Sequence, residues 1–173
     1  MPSTPLPYKD FTIKARVSSI EKLEETLRSL QAQFFGLDSQ TDHYFETEYG
    51  KLKWREAIFE NLITHYERFP DSGLERTIVY RYDLNPSQDQ IQELKQSHKL
   101  IGVTKKQRKI YLLGNVKIHL DTLPNEEEFI EIETIDRDNQ VSAEELRNLC
   151  LEIMVKLNIK SSDLIKTGYL KKT

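Results

Sequence analysis

The chain has 173 residues, of which 38% are hydrophobic and 31% are charged, and its formal net charge is −3. This length is sufficient to bury a core, and the composition is that of a globular rather than a disordered chain. The negative charge predicts no general attraction to nucleic acid or to an acidic membrane. Any polyanion must therefore be bound by a local cluster of lysines and arginines.

Cysteine content and hydropathy restrict the class of protein further. The single cysteine, Cys150, excludes an intrachain disulfide framework, and its apolar helical surroundings predict a buried structural thiol. No apolar run reaches the length of a membrane span and no signal peptide is visible. We therefore expect a soluble, cytoplasmic protein.

The first predicted element is a strand over "KDFTIKARV", residues 9–17, in which apolar and polar residues alternate. Alternation of this kind places the two sets on opposite faces of a strand. The apolar face is Phe11, Ile13, Ala15 and Val17, and the polar face is Asp10, Thr12, Lys14 and Arg16. The apolar face predicts contact with a core, whereas the partner of the polar face is either bulk water or something held inside the protein.

Three later segments have the apolar periodicity of amphipathic helices, and each is opened by a serine that can cap the first turn. They cover residues 20–33, 87–100 and 142–159. Ser18 with Glu21 and Ser142 with Glu145 have the spacing of a capping box, while Ser87 opens the middle helix.

Between the helices the chain is predicted to form strands at residues 43–46, 50–57, 61–69, 76–84, 103–114, 115–123 and 129–136. Gly114-Asn115 is typical of a tight turn between two of them. Many antiparallel strands with three helices predict an α+β domain whose sheet is curved or closed.

The polar faces of these strands segregate by charge. The basic set is Lys51, Lys53, Arg55, Arg68, Lys106 and Arg108; Lys117, His119 and Asp121 share another face, and Glu131 and Glu133 a further one. Taken one strand at a time, each face is that of an ordinary wet sheet. Taken together, these faces place like charges beside one another, and like charges repel. A polyphosphate would neutralise the cations, and a divalent metal ion would neutralise the carboxylates.

Seven short motifs occur in order: K-A-R-V, D-x-Y-F, L-K-x-R-E, L-I-x-x-Y-E-R, K-x-R-x-x-Y, N-V-x-I-H-L-D and F-x-E-x-E. This series, spanning about Phe11 to Leu170, resembles the CYTH superfamily, which includes class IV adenylyl cyclases and thiamine triphosphatases. The resemblance implies a single CYTH-like domain over residues 1–173. It implies an antiparallel, eight-stranded closed β-barrel with flanking amphipathic helices, whose lumen (the triphosphate tunnel) binds a small-molecule triphosphate with Mg²⁺ or Mn²⁺.

The resemblance also assigns roles to individual residues. The implied phosphate-binding residues are Lys14, Arg16, Lys53, Arg55, Arg68, Lys106, Arg108 and Lys117. The implied metal ligands are Asp10, Asp121, Glu131 and Glu133, and the implied catalytic residues are Lys14, Arg55, His119 and Asp121. For His119, a structural or phosphate-contacting role stands beside that of a general base.

One position departs from the family pattern, which has Glu, Glu and Lys at alternate positions of the first strand. This chain has Asp10, Thr12 and Lys14 there, and the neutral Thr12 cannot replace a carboxylate ligand. We therefore expect a metal-dependent triphosphatase, with two alternatives: a class IV adenylyl cyclase that makes cyclic AMP from ATP, and a binding module without catalysis. The oligomeric state, with a homodimer as one option, is left open.

Overall fold

The structure is a computed structural model that describes residues 8–71, 73–136 and 140–165. Its strands are β1 (Tyr8–Arg16), β2 (Gln33–Phe45), β3 (Lys51–Glu56), β4 (Leu62–Asp71), β5 (Leu74–Leu84), β6 (Leu100–Leu113), β7 (Val116–Thr122), β8 (Glu128–Asp136) and β9 (Leu164–Ile165). The helices are α1 (Ile20–Ser29), α2 (Gln88–Ser97) and α3 (Ala143–Lys156), and a 3-10 turn covers Ser161–Asp163.

The strands close into a barrel. Their order is β5-β4-β3-β2-β6-β7-β8-β1, and β1 pairs back with β5, so that Asp10 lies opposite Thr77. Every pairing is antiparallel. The short β9 pairs with β1 at Lys14 and Ala15, beyond the part of β1 that pairs with β5. The predicted α+β fold with an eight-stranded closed antiparallel barrel is confirmed.

The alternation of β1 separates the core from the lumen. Phe11, Ile13 and Ala15 lie on the outside of the barrel in the main hydrophobic core. Asp10, Thr12 and Lys14 point the other way and are nevertheless 4%, 1% and 1% exposed. The polar face of β1 therefore lines an enclosed space rather than a wet surface.

Helices cover the apolar outer faces. Leu27 of α1 and Leu146, Ile153 and Met154 of α3 pack with the outer residues of β1, β7 and β8, and each fully buried aliphatic side chain contributes about 1.5–3 kcal/mol. Cys150 lies in this core, where burial raises the pKa of its thiol to about 12. The expectation of a buried structural thiol is confirmed.

A second, smaller core lies under α2. Ile91 and Leu94 of this helix pack on Leu52, Trp54 and Ile63 of the neighbouring strands. The Ser87 capping box closes with Gln90, and Ser142 closes the corresponding box of α3 with Glu145. Both helices therefore begin where the sequence predicts.

Helix α1 begins at Ile20, as predicted, but its capping residue and its end were predicted wrongly. The cap is Ser19, whose hydroxyl accepts a hydrogen bond from the Lys22 amide, and not Ser18. The helix ends at Ser29, because the chain turns at Gln31 with a φ of 62° and enters β2 at Gln33. Consequently β2 is much longer than the strand predicted at residues 43–46, and it pairs with β6 along its whole length.

The turn predicted at Gly114-Asn115 is present between β6 and β7, and Gly114 has a φ of 60° that favours glycine. Among the helices in the described part of the chain, none combines the length and the apolar character needed to cross a membrane.

Candidate functional site

The barrel contains a cavity that is open to solvent at its mouth, and the lining is dominated by charged side chains. The lining cations are Lys14, Lys53, Arg55, Arg68, Lys106, Arg108 and Lys117. The lining acids are Asp10, Asp42, Glu60, Glu131 and Glu133, and His119 lies among them. All but one of the predicted phosphate-binding residues thus share this lumen.

The exception is Arg16, at the end of β1. Its guanidinium lies 2.6 Å from the carboxylate of Glu127 and 5.3 Å from the centre of the Phe129 ring. The Arg16 side chain is 63% exposed and does not belong to the cavity lining.

Asp42, on β2, organises three of the lumen cations. Arg55 donates to both of its carboxylate oxygens, at 2.7 and 2.9 Å. The ammonium groups of Lys106 and Lys53 lie 3.0 and 3.4 Å from one of those oxygens. Burial opposes ionisation of this carboxyl, but Arg55 and the two lysines outweigh it and hold its pKa well below the ordinary value.

Arg108 and Asp121 form a second fixed pair. The guanidinium donates to both carboxylate oxygens at 2.7 and 2.9 Å, and Asp121 is fully buried. Although burial raises the pKa of Asp121, Arg108 brings it down to about 2. Both carboxylate oxygens are engaged, so this geometry favours Asp121 as the residue that orients Arg108 rather than as a metal ligand.

His119 lies between two carboxylates. Its Nε2 is 3.3 Å from Glu60, and its Nδ1 is 3.6 Å from Glu131, which also lies 3.8 Å from the ammonium of Lys14. Burial and Arg108 lower the pKa of His119, but the two carboxylates raise it above the ordinary value overall. The pKa of Lys14 is shifted in the opposite direction, because burial lowers it well below the usual range.

An acidic corner lies beside this histidine. One donor atom each from His119, Glu131 and Glu133 fall within 4.8 Å of one another. Burial, and then the nearby charge of Glu133, raise the pKa of Asp10 well above its ordinary value. Crowded carboxylates that repel one another in this way are stabilised by a cation, so the donor set fits a divalent metal ion.

Thr12 supports this corner without adding charge to it. Its hydroxyl donates to the Asp10 carboxylate at 3.3 Å, and its backbone lies opposite Glu133. The residue that departs from the family pattern therefore orients one acid of the corner.

Two lumen lysines are poised to change charge near neutral pH. Burial, followed by the charge of Arg55, lowers the pKa of Lys53 and that of Lys106 to about 7. Asp42 counteracts this only in part. An anion bound beside these lysines would favour their protonated, charged form.

Tyr66 packs against the cations. The centre of its ring lies 4.9 Å from the guanidinium carbon of Arg68 and 5.4 Å from the ammonium of Lys53. These contacts give Tyr66 a packing role beside the lumen cations.

Two acids of the lumen were missed by the sequence analysis. Asp42 lies in a segment without a clear apolar face, although the D-x-Y-F motif contains it. Glu60 lies on the loop between β3 and β4, where no periodic pattern marks a residue as inward-facing.

The fold and the lining together define a barrel protein with a buried, mainly cationic tunnel. The family model of the CYTH domain matches residues 11–169, and the chain belongs to this family.

Solved structures share this fold. The PH1012 protein of Pyrococcus horikoshii is 27% identical, with a TM-score of 0.76, and the match covers 92% of this chain and 96% of that one. A candidate adenylate cyclase of Vibrio parahaemolyticus is 18% identical with a TM-score of 0.74, covering 92% and 94%. HpAC1 of Hippeastrum, a candidate adenylyl cyclase said to reveal a dominant triphosphatase activity, is 14% identical with a TM-score of 0.58, covering 94% and 92%. No curated protein sequence matches the chain significantly.

Proposed function

We propose that the barrel lumen binds the phosphate groups of a small organic or inorganic triphosphate and that the protein, with a divalent cation, hydrolyses it. The observation that carries the proposal is the convergence of seven lysine and arginine side chains on one cavity. A solvated face would leave such side chains exposed, whereas Lys14, Lys106 and Arg108 are 1%, 4% and 2% exposed.

The cations differ in the contact that they offer a phosphate. Arg55 and Arg108 are held in place by their aspartates, and a guanidinium can donate to two phosphate oxygens at once. Lys117 of β7 offers a point charge, and Lys14 of β1 and Lys106 of β6 offer two more when the ligand favours their protonated form. Because phosphoryl transfer depends mainly on positioning and on neutralising charge, this lining supports both binding and catalysis.

Mg²⁺ or Mn²⁺ is the cofactor that the acidic corner fits. Glu131 and Glu133, with Asp10 or His119 as further donors, would hold the ion. When bound, such an ion neutralises phosphate charge and lowers the pKa of a coordinated water. Since Thr12 supplies no carboxylate, we propose one metal site rather than two.

In the proposed hydrolysis, water attacks a phosphorus atom of the ligand, the bond to the bridging oxygen breaks, and the lumen cations stabilise the oxygens that gain charge. The cyclase alternative would instead use the ribose 3′-hydroxyl as the nucleophile. A binding module without turnover is the second candidate, and the uncharged Thr12 in the acidic corner favours it.

A product assay tests the proposal. The purified protein is incubated with ATP, thiamine triphosphate and tripolyphosphate, with Mg²⁺ or Mn²⁺, and the products are separated. We expect a diphosphate or pyrophosphate together with orthophosphate; cyclic AMP and pyrophosphate would indicate the cyclase. Absence of any product, while the ligand still raises Tm, would indicate the binding module.

A matched pair of variants tests whether the ligand binds in the lumen. Lys117 lies in the lumen, with its ammonium 3.8 Å from Glu60, and is still 24% exposed, so that Lys117→Met should fold. We expect this variant to weaken ligand binding about tenfold, the effect of losing one charge-assisted contact. The control is Lys105→Met, which removes the same charge from an exposed position of β6. Equal behaviour of the two variants would contradict a site in the lumen.

A further inference from the structure

Glu60 brings a carboxylate into the lumen from a loop rather than from a strand. The loop joins β3 to β4, and the Glu60 side chain reaches residues of β2, β3, β6 and β7. Its carboxylate lies 3.4 Å from Arg108, 3.8 Å from Lys117 and 3.3 Å from His119. It therefore occupies the space between cations that a phosphate group would need.

The loop is held in a defined conformation by Asp38. This carboxylate accepts hydrogen bonds from the backbone amides of Ile58, Phe59 and Glu60, at 2.9, 3.2 and 3.0 Å. On the outside, the Phe59 ring packs over Gly36, where the Cβ of any other residue would come within 2.7 Å of the ring. The inward position of Glu60 is thus built into the fold.

The contacts of Glu60 with the two arginines are nevertheless looser than those of Asp42 and Asp121. Arg55 and Arg108 each donate to an aspartate at 2.7 Å, whereas they lie 3.7 and 3.4 Å from Glu60. The short contact of Glu60 is with the neutral amide of Gln40, at 2.7 Å. The arginines would therefore keep their fixed partners if the Glu60 side chain swung away, and a rotation of that side chain would leave the hydrogen bonds of the loop to Asp38 in place.

We propose that Glu60 is a displaceable internal counter-ion, which a phosphate group of the ligand replaces beside Arg108, Lys117 and His119. This inference rests on the proposed function of the lumen. A carboxylate and a phosphate present the same kind of acceptor oxygens, but a terminal phosphate carries more charge and more oxygens. Glu60 thus competes with the ligand and restricts the site to polyanions with enough charge to displace it.

Calorimetric titration of tripolyphosphate tests this inference. Glu60→Gln removes the charge and keeps an oxygen for Gln40, so we expect it to bind tripolyphosphate about tenfold more tightly than the unmodified protein. The control is Glu56→Gln, which removes the same charge at the end of β3 from a side chain that is 60% exposed. We expect the affinity of this control to be unchanged.

The outcomes separate the inference from the function on which it rests. If the unmodified protein binds tripolyphosphate and Glu60→Gln binds it equally or more weakly, the inference is overturned, because Glu60 would then be a fixed structural counter-ion. No binding by any variant would overturn the proposed function itself. If Glu60→Gln lowers Tm so far that it cannot be titrated, Phe59→Ala loosens the loop from outside; tighter binding then supports displacement, and unchanged or weaker binding refutes it.

Discussion

Replacing Asp42 by Asn removes the acid that compensates the largest group of lumen cations. The variant keeps the size of the side chain but leaves Arg55, Lys53 and Lys106 without the carboxylate that now lies 2.7–3.4 Å from them. All three cations are less than 9% exposed, so water can replace the lost partner only in part. We therefore expect a large loss of stability.

The size of the loss follows from the burial of the cluster. Removing one partner of a buried ion pair costs about 3–5 kcal/mol, and each kcal/mol shifts the Tm of a chain of this length by about 2–4 °C. The lysines of the cluster can lose protons and relieve part of the repulsion, so we expect Tm to fall by about 10 °C.

Thermal unfolding with and without tripolyphosphate is the assay. Because the ligand supplies the missing negative charge, it should raise the Tm of Asp42→Asn by more than that of the unmodified protein. The control is Asp71→Asn, at a carboxylate that is 40% exposed and 3.9 Å from Arg147, where the cost of such a surface pair is about 0–1 kcal/mol. A Tm for Asp42→Asn within about 2 °C of that of the unmodified protein would show that Asp42 is not needed to compensate these cations.

Further predictions concern protons and metal. Lys53 and Lys106, with pKa values near 7, are mostly neutral above that pH in the folded protein, whereas the unfolded chain keeps them protonated up to about pH 10. The free energy of unfolding therefore rises through these lysines between about pH 7 and 10. When a polyanion binds beside them and restores their charge, the protein should take up protons. Titrations at pH 8 in buffers of different ionisation enthalpy measure this uptake; identical heats would contradict it. Thr12→Glu adds a carboxylate beside Asp10 and Glu133, so it should lower Tm without metal and enlarge the Tm increase that Mn²⁺ produces. An unchanged response to Mn²⁺ would count against the acidic corner as the metal site.

The alternation of three strands was sufficient to predict part of the lumen lining. In β1, β3 and β7 the apolar residues are regular enough to fix both faces, and once the barrel closes, the opposite face has to be internal. Lys14, Arg55 and His119 are therefore brought together by features that the sequence displays directly.

The parts that the sequence did not predict depend on contacts distant in the chain. Strand β2 is polar on its inner face, at Asp38, Gln40 and Asp42. It exposes Phe35 and Leu37 on its surface, so its pattern does not resemble a half-buried strand. Its strand conformation comes from pairing with β6.

Arg16 and Glu60 show the same dependence on tertiary structure at the ends of the barrel. In the alternation of β1, Arg16 falls on the same face as Lys14, but its side chain contacts Glu127 outside the lumen. Glu60 lies on a loop, where no alternation applies, and its side chain enters the lumen. Strand periodicity cannot assign either residue, because both positions are decided by where the loops fold.

The most direct test of the lumen as a triphosphate site is a crystal structure of the protein with tripolyphosphate and Mn²⁺. We expect phosphate density inside the barrel, within hydrogen-bonding distance of Arg55 and Arg108, and an anomalous Mn²⁺ signal beside Glu131 and Glu133. Tripolyphosphate bound only on the outer surface, or a lumen without phosphate density at saturating ligand, would contradict this expectation.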